Sequence, residues 1–176
     1  MNSLILHKRR GPLDRAIYSL HVSTPEDLPA AVPTNLPGAR FVLFLAWDAR
    51  GIPDETIFTV AQRLIRAGLS YIVAWGPDCE RVHDVFDDAD IVENPESNTP
   101  DTDTVIMSTW HDSEPLAQAL WFALYSAYPA EPYDSKTIST FAAVVSNKPW
   151  AQAVEAYLED LASLNRAIGG VGPPPN

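Results

Sequence analysis

Three segments constrain this chain more than anything else in it: FVLFLAW (residues 41–47), LSYIVAW (69–75) and TVIMSTW (104–110). Each is a near-continuous apolar run of strand length that ends in a small residue and a tryptophan, and each is followed by residues at helical spacing. A strand that is apolar on both faces must be covered on both, and its alternation with helices is the pattern of a parallel sheet. The expectation is an α/β protein, a three-layer Rossmann-like or flavodoxin-like open sheet of about four parallel strands with helices on both faces.

The helical segments can be read in the same way. Pro53 opens a helix over 54–67, with Ile57, Phe58, Ala61, Leu64 and Ile65 on one face and Gly68 suited to its C-terminal cap. Gly76-Pro77 opens a shorter helix over 78–88, where Asp87-Asp88-Ala89-Asp90 should end it, because acidic residues oppose the negative end of the macrodipole. Residues 93–103 read as a loop. Pro115 starts a helix over 114–127. Residues 138–146 make the fourth strand, and Pro149 opens a helix over 150–168 with Trp150, Val154, Tyr157, Leu158 and Leu161 as its apolar positions. Four of the 16 prolines, Pro53, Pro77, Pro115 and Pro149, are thus expected in first helical turns, where a missing N–H costs nothing. Residues 14–22 alternate weakly and are expected as an added edge strand within an N-terminal arm, 1–40, whose 25–37 stretch carries four prolines. Residues 41–168 form the single α/β domain. Residues 169–176 are a flexible tail, since their glycines precede no helix and make no dinucleotide fingerprint.

Charge excludes some function classes. The chain has 12 Lys and Arg against 23 Asp and Glu, a net charge of −11. Residues 1–40 carry five basic and three acidic residues, while 41–176 carry seven and twenty, so the acidity belongs to the body. Such a surface disfavours nucleic acid, whose phosphates need clustered cations. No apolar run approaches the length of a membrane span, and Leu4-Ile5-Leu6 is too short for a signal-peptide core. The single cysteine, Cys79, allows no intramolecular disulfide or CxxC pair. A cytoplasmic protein without cofactor is expected, contacting neither nucleic acid nor membrane.

In open parallel sheets, ligands bind beyond the carboxyl ends of the strands. Asp48, Asp78, Cys79, Glu80, His111, Asp112 and Glu114 all follow such ends and should converge, bordered by Trp47, Trp75 and Trp110. The alternative is that these tryptophans plug the sheet against the arm. One enzymatic reading takes Cys79 as nucleophile, His111 as general base and Asp48 as orienting carboxylate. Against it, Asp78 and Glu80 flank Cys79, and no Gly-x-Cys-x-Gly elbow is present. A divalent cation could draw on His111, Asp112, Glu114, Asp48 and Asp78, and Glu80 with His83 stands at the i, i+3 spacing of ligand pairs, but no recognised metal motif occurs. The 114–127 helix is apolar almost all round, with Leu116, Leu120, Trp121, Phe122, Leu124 and Tyr125 on more than one face. That surplus packs either on the arm and neighbouring helices or on another protein chain, including a homodimer partner.

Ala74-Trp75-Gly76-Pro77-Asp78-Cys79 and Thr109-Trp110-His111-Asp112-Ser113-Glu114-Pro115-Leu116, followed by Trp121-Phe122, resemble the pattern of an uncharacterised bacterial domain-of-unknown-function family. Its motifs are Ala-Trp-Gly-x-Asp-Cys, Thr-Trp-His-x-Asp/Glu-Glu-Pro-Leu and Trp-Phe, and the likeness covers about 41–145. The coinciding positions are Trp75, Gly76, Asp78, Cys79, Trp110, His111, Glu114 and Trp121; the chain departs at Glu80-Arg81-Val82-His83. The resemblance implies no reaction. Charge, surplus helix and incomplete catalytic motifs together favour an accessory, regulatory or immunity-type protein that binds a protein partner, expected to be basic. The rival is a small-molecule hydrolase or transferase using Cys79, His111 and Asp48 or a carboxylate-bound metal.

Overall fold

The computed structural model describes residues 2–8, 10–33, 39–95, 105–130 and 138–169. It contains a six-stranded, mostly parallel sheet: β1 (Ser3–Lys8), β2 (Ala16–Val22), β3 (Arg40–Ala46), β4 (Leu69–Trp75), β5 (Met107–His111) and β6 (Ile138–Val145). The spatial order is β1-β2-β6-β3-β4-β5. Only β1 runs antiparallel to its neighbour, and β2, β6, β3, β4 and β5 are mutually parallel. The helices are α1 (Leu28–Ala31), α2 (Asp54–Arg66), α3 (Cys79–Glu93), α4 (Leu116–Tyr125), α5 (Lys148–Glu159) and α6 (Leu161–Ala167).

Alternate residues of β3 divide the core. Phe41, Leu43 and Leu45 join a cluster with Ile57, Val60 and Leu64 of α2 and Val82 and Phe86 of α3. Val42, Phe44 and Ala46 join a second cluster with Leu120 and Leu124 of α4 and Val154 and Leu158 of α5. Successive strand residues point to opposite faces, so α2 and α3 cover one face and α4 and α5 the other. The direction of travel accounts for this split: the chain crosses the sheet one way through β3, β4 and β5, then returns to insert β6 between β2 and β3, and crossovers of one hand that run in opposite directions lie on opposite faces. The near-continuous apolar runs are the direct result, since all eight residues of β6 and six of seven in both β3 and β4 are buried. Full burial of a Leu, Ile or Phe side chain is worth roughly 1.5–3 kcal/mol.

The α/β expectation and the strand-helix alternation stand, with several corrections. There are five parallel strands where about four were expected. The segment expected at the edge, β2, lies inside the sheet, paired with β6 along its whole length; β1 forms that edge. Helix α3 passes the acidic cluster and ends at Glu93, because these acids have local uses. The buried Asp90 carboxylate accepts from Asn94 Nδ2 (2.6 Å) and the Ile106 N–H (3.2 Å), and Glu93 pairs with Arg66. The last helix is two helices, interrupted at Asp160, whose side chain accepts from the N–H groups of Ala162 and Ser163. Of the four marked prolines, Pro149 alone occupies a first turn; Pro53 and Pro115 are N-caps, and Pro77 precedes the N-cap Asp78. The sequence expectations for 34–38, 96–104 and 170–176 fall outside the described residues. No helix among those described is long and apolar enough to cross a membrane.

Candidate functional site

At the carboxyl edge of the sheet, the loops after β3 and β4 continue the pairing of their strands. Trp47 N–H donates to the Trp75 carbonyl (3.0 Å) and Ala49 N–H to the Pro77 carbonyl (3.1 Å). Gly76 makes this approach feasible. Its φ is +115°, and a Cβ there would lie 2.5 Å from the Trp47 carbonyl oxygen. Asp78 follows at φ +69°, a left-handed position that Asp tolerates better than most residues. Its carboxylate does not cap α3 but accepts from Arg81 Nε (2.8 Å). Arg81 also donates to the carbonyls of Ile52 (3.0 Å) and Ala49 (2.8 Å) and pairs with Asp54, fastening one loop to the other.

The geometry does not assemble Cys79, His111 and Asp48 into a relay. Cys79 is buried within the α2/α3 cluster, and burial pushes its thiol pKa up, partly opposed by the backbone of His111. A protonated thiol is a poor nucleophile. The His111 ring lies on the other face, against Phe122 of α4 (4.9 Å between ring centres), with Nδ1 at the Glu114 carboxylate and Nε2 3.3 Å from Thr109 Oγ1. Asp48 is held by Arg50 at 2.9 and 2.6 Å, and that hydrogen-bonded guanidinium lowers its pKa. The metal reading fares no better, because no group of three or more His, Cys, Asp and Glu among the described residues could hold an ion. His83 does not act with Glu80: its Nε2 is 2.9 Å from Ser108 Oγ and its Nδ1 3.0 Å from Asp84.

Nor do the three strand-end tryptophans meet, because they point to alternate faces. Trp47 is buried in the α2/α3 cluster, and Trp110, 44% exposed, packs its ring on His83 at the β5 edge. Trp75 faces the α4/α5 side, where its indole N–H donates to the Glu114 carbonyl (2.8 Å). There it meets Trp150, from the first turn of α5, at 5.0 Å between ring centres and an angle of 73°. These indoles line a cleft of about 410 Å³ with Gly76, Pro77, Asp78, Asp112 and Glu114. Of its three carboxylates, Asp78 is paired with Arg81 and Glu114 with His111. Asp112 is exposed and makes no hydrogen bond or ion pair among the described residues.

The cleft therefore unites Trp75, Asp78, Asp112 and Glu114 from the expected set. It leaves out Asp48, Trp47 and Trp110. Trp121 lies elsewhere: its indole N–H donates to Asn165 Oδ1 of α6 (3.0 Å) and its ring stacks on Tyr125 at 5.1 Å. The apolar surplus of α4 has thus found intramolecular partners, with Leu116, Trp121, Phe122 and Tyr125 packed against the second cluster. Two residues escaped the sequence reading. Trp150 entered it only as an apolar helix position, although the strand-end argument applied to β6 would have found it. Arg81 was only a departure from the motif, and nothing local in the sequence foretells that its partners are carbonyls about thirty residues away.

No curated protein matches the chain in a sequence comparison. The family model described as Domain of unknown function (DUF7684) matches residues 17–161, which takes in β2 from its second residue through α5, every cleft residue named above and Arg81, and leaves out β1. The chain belongs to this family.

Proposed function

We propose that this chain is a binding protein, an acidic accessory or immunity-type protein on a three-layer Rossmann-like frame, and that its cleft receives a cationic group from a basic protein partner. The observation that carries this reading is the pair of indoles beside a carboxylate that makes no ion pair among the described residues: Trp75 and Trp150 pack edge to face at 73°, and the exposed Asp112 lines the same cleft. The face of an indole attracts ammonium and guanidinium groups, contributing about 0.5–2 kcal/mol. A carboxylate at the rim adds charge and orientation. The net charge of −11 acts at longer range, steering a basic partner inward and weakening with salt.

The test uses N-acetyl-arginine methylamide against its citrulline counterpart, which has the same shape and no charge. Indole N–H resonances of Trp75 and Trp150 should move with the arginine compound alone, and Asp112→Asn or Trp150→Ala should weaken the effect about tenfold, ~1.4 kcal/mol. Equal responses to both compounds, or none to either, would end this reading.

A further inference from the structure

The two outer strands of the sheet differ in chemistry, and they differ in a complementary way. Neither β1 nor β5 has a second neighbour among the described residues. Both expose large apolar side chains: Leu4, Ile5 and Leu6 on β1 are 41–43% exposed, and Met107 and Trp110 on β5, with Val105 just before it, are 38–44% exposed. Edge strands in natural proteins are usually blunted by charge, proline or cover, and an apolar edge is a template for another strand. Beside the start of β5 lies a groove of about 290 Å³, lined by Asp87, Asp90, Ile91, Val105, Ile106, Met107 and Ser108. Helix α3 on this side carries Glu80, Asp84, Asp87, Asp88, Asp90 and Glu93 against a single arginine. The far end of β1 carries a cation instead, Lys8, while Arg10 beyond it is paired with Asp14 (3.6 Å).

We propose that copies of this chain associate head to tail, the β1 edge of one pairing with the β5 edge of the next to continue the sheet. Direction and charge both fit. Strand β1 runs antiparallel to the other five, so in a copy of the same orientation it lies antiparallel to β5, the slightly more stable arrangement. In that register, Lys8 at the end of β1 comes to the start of β5, where Asp87 and Asp90 line the groove, and Leu4 to Leu6 oppose the exposed side chains of β5. Like-with-like pairing would instead set two acidic α3 helices side by side at β5, and an antiparallel β1–β1 contact would place Lys8 opposite Ser3, with no carboxylate to meet it. A contact between two different surfaces does not close on itself, so the product is an open series rather than a symmetric dimer. The surface is separate from the cleft, and the two readings stand or fall independently.

Sedimentation velocity on the full chain over a concentration series tests this. The wild type should show average mass rising with concentration past that of a dimer. Ile5→Lys, which blocks the β1 edge, and Met107→Lys, which blocks the β5 edge, should each be monomeric. Both positions are half-exposed, so circular dichroism should show the fold retained. Mixed together, the two variants should form a one-to-one dimer and stop there, because each keeps one usable edge. Lys8→Glu should weaken wild-type association. A wild type that stays monomeric at every concentration, a closed dimer, or variants that remain monomeric when mixed would overturn the proposal.

Discussion

The two sides of the carboxyl edge use the same kinds of residue to opposite ends. On the α2/α3 side, Trp47 and Cys79 are buried, Asp78 is bound to Arg81, and Arg81 ties two loops together. On the α4/α5 side, Trp75 and Trp150, packed edge to face, line an open cleft, and Asp112 makes no hydrogen bond or ion pair among the described residues. Tryptophan beside carboxylate is therefore not in itself a sign of a binding site. What separates the two sides is whether a cation from the same chain reaches the carboxylate, and whether the indole is enclosed by a helix.

Substitutions on the closed side should be costly. Gly76→Ala should be the most damaging, since the new Cβ meets the Trp47 carbonyl at 2.5 Å and φ is +115°. A loss of about 2–4 kcal/mol is expected in urea unfolding, and a cost below ~1 kcal/mol would show that the two loops part easily. Arg81→Met should cost about 1–2 kcal/mol, as it abandons the carbonyls of Ala49 and Ile52 and two carboxylates in a partly exposed place. Arg81→Lys should not restore it, because an ammonium cannot span that fork.

Alkaline pH provides a gentler contrast. Burial raises the Cys79 thiol above its ordinary value of 9.0, so the folded chain holds this proton after the unfolded chain has lost it. Stability should be unaffected by this group below that value and should fall as pH rises beyond it. Cys79→Ala should flatten this part of the curve, and iodoacetamide should modify native Cys79 more slowly than a free thiol. Tyr71, whose phenol is also raised by burial, leaves a residual slope in the variant. On the open side, Asp112→Asn should change stability by less than ~0.5 kcal/mol while weakening cation binding. If Asp112→Asn proved as costly as Arg81→Met, the two sides would differ less than the geometry indicates.

Burial on both faces writes itself into sequence, so β3, β4 and α2 were legible to within a residue, whereas α3 runs five residues past its expected end. Strand β2 was legible as a strand and misplaced as an edge, because its Ser19 and His21 imitate a solvent face. Ser19 is in fact buried and within 2.8 Å of His7 Nε2. Strand β1 was invisible, being short, exposed and without periodicity. The polar residues of the cleft were legible as residues that follow strand ends. Which face each tryptophan takes was not, because one residue of register exchanges the two faces.

The place of β6 bears on how the chain reaches this structure. It is the last strand of the described sheet in sequence, yet it lies between β2 and β3 and pairs with both. Until residues 138–145 arrive, the β1-β2 hairpin and the β3-β4-β5 unit have no strand joining them. Closure then requires contacts across more than a hundred residues, a long-range step of the kind that slows folding. During synthesis, the inner edges of β2 and β3 stay open until β6 emerges, and β6 is the strand that both brings the halves together and seals them.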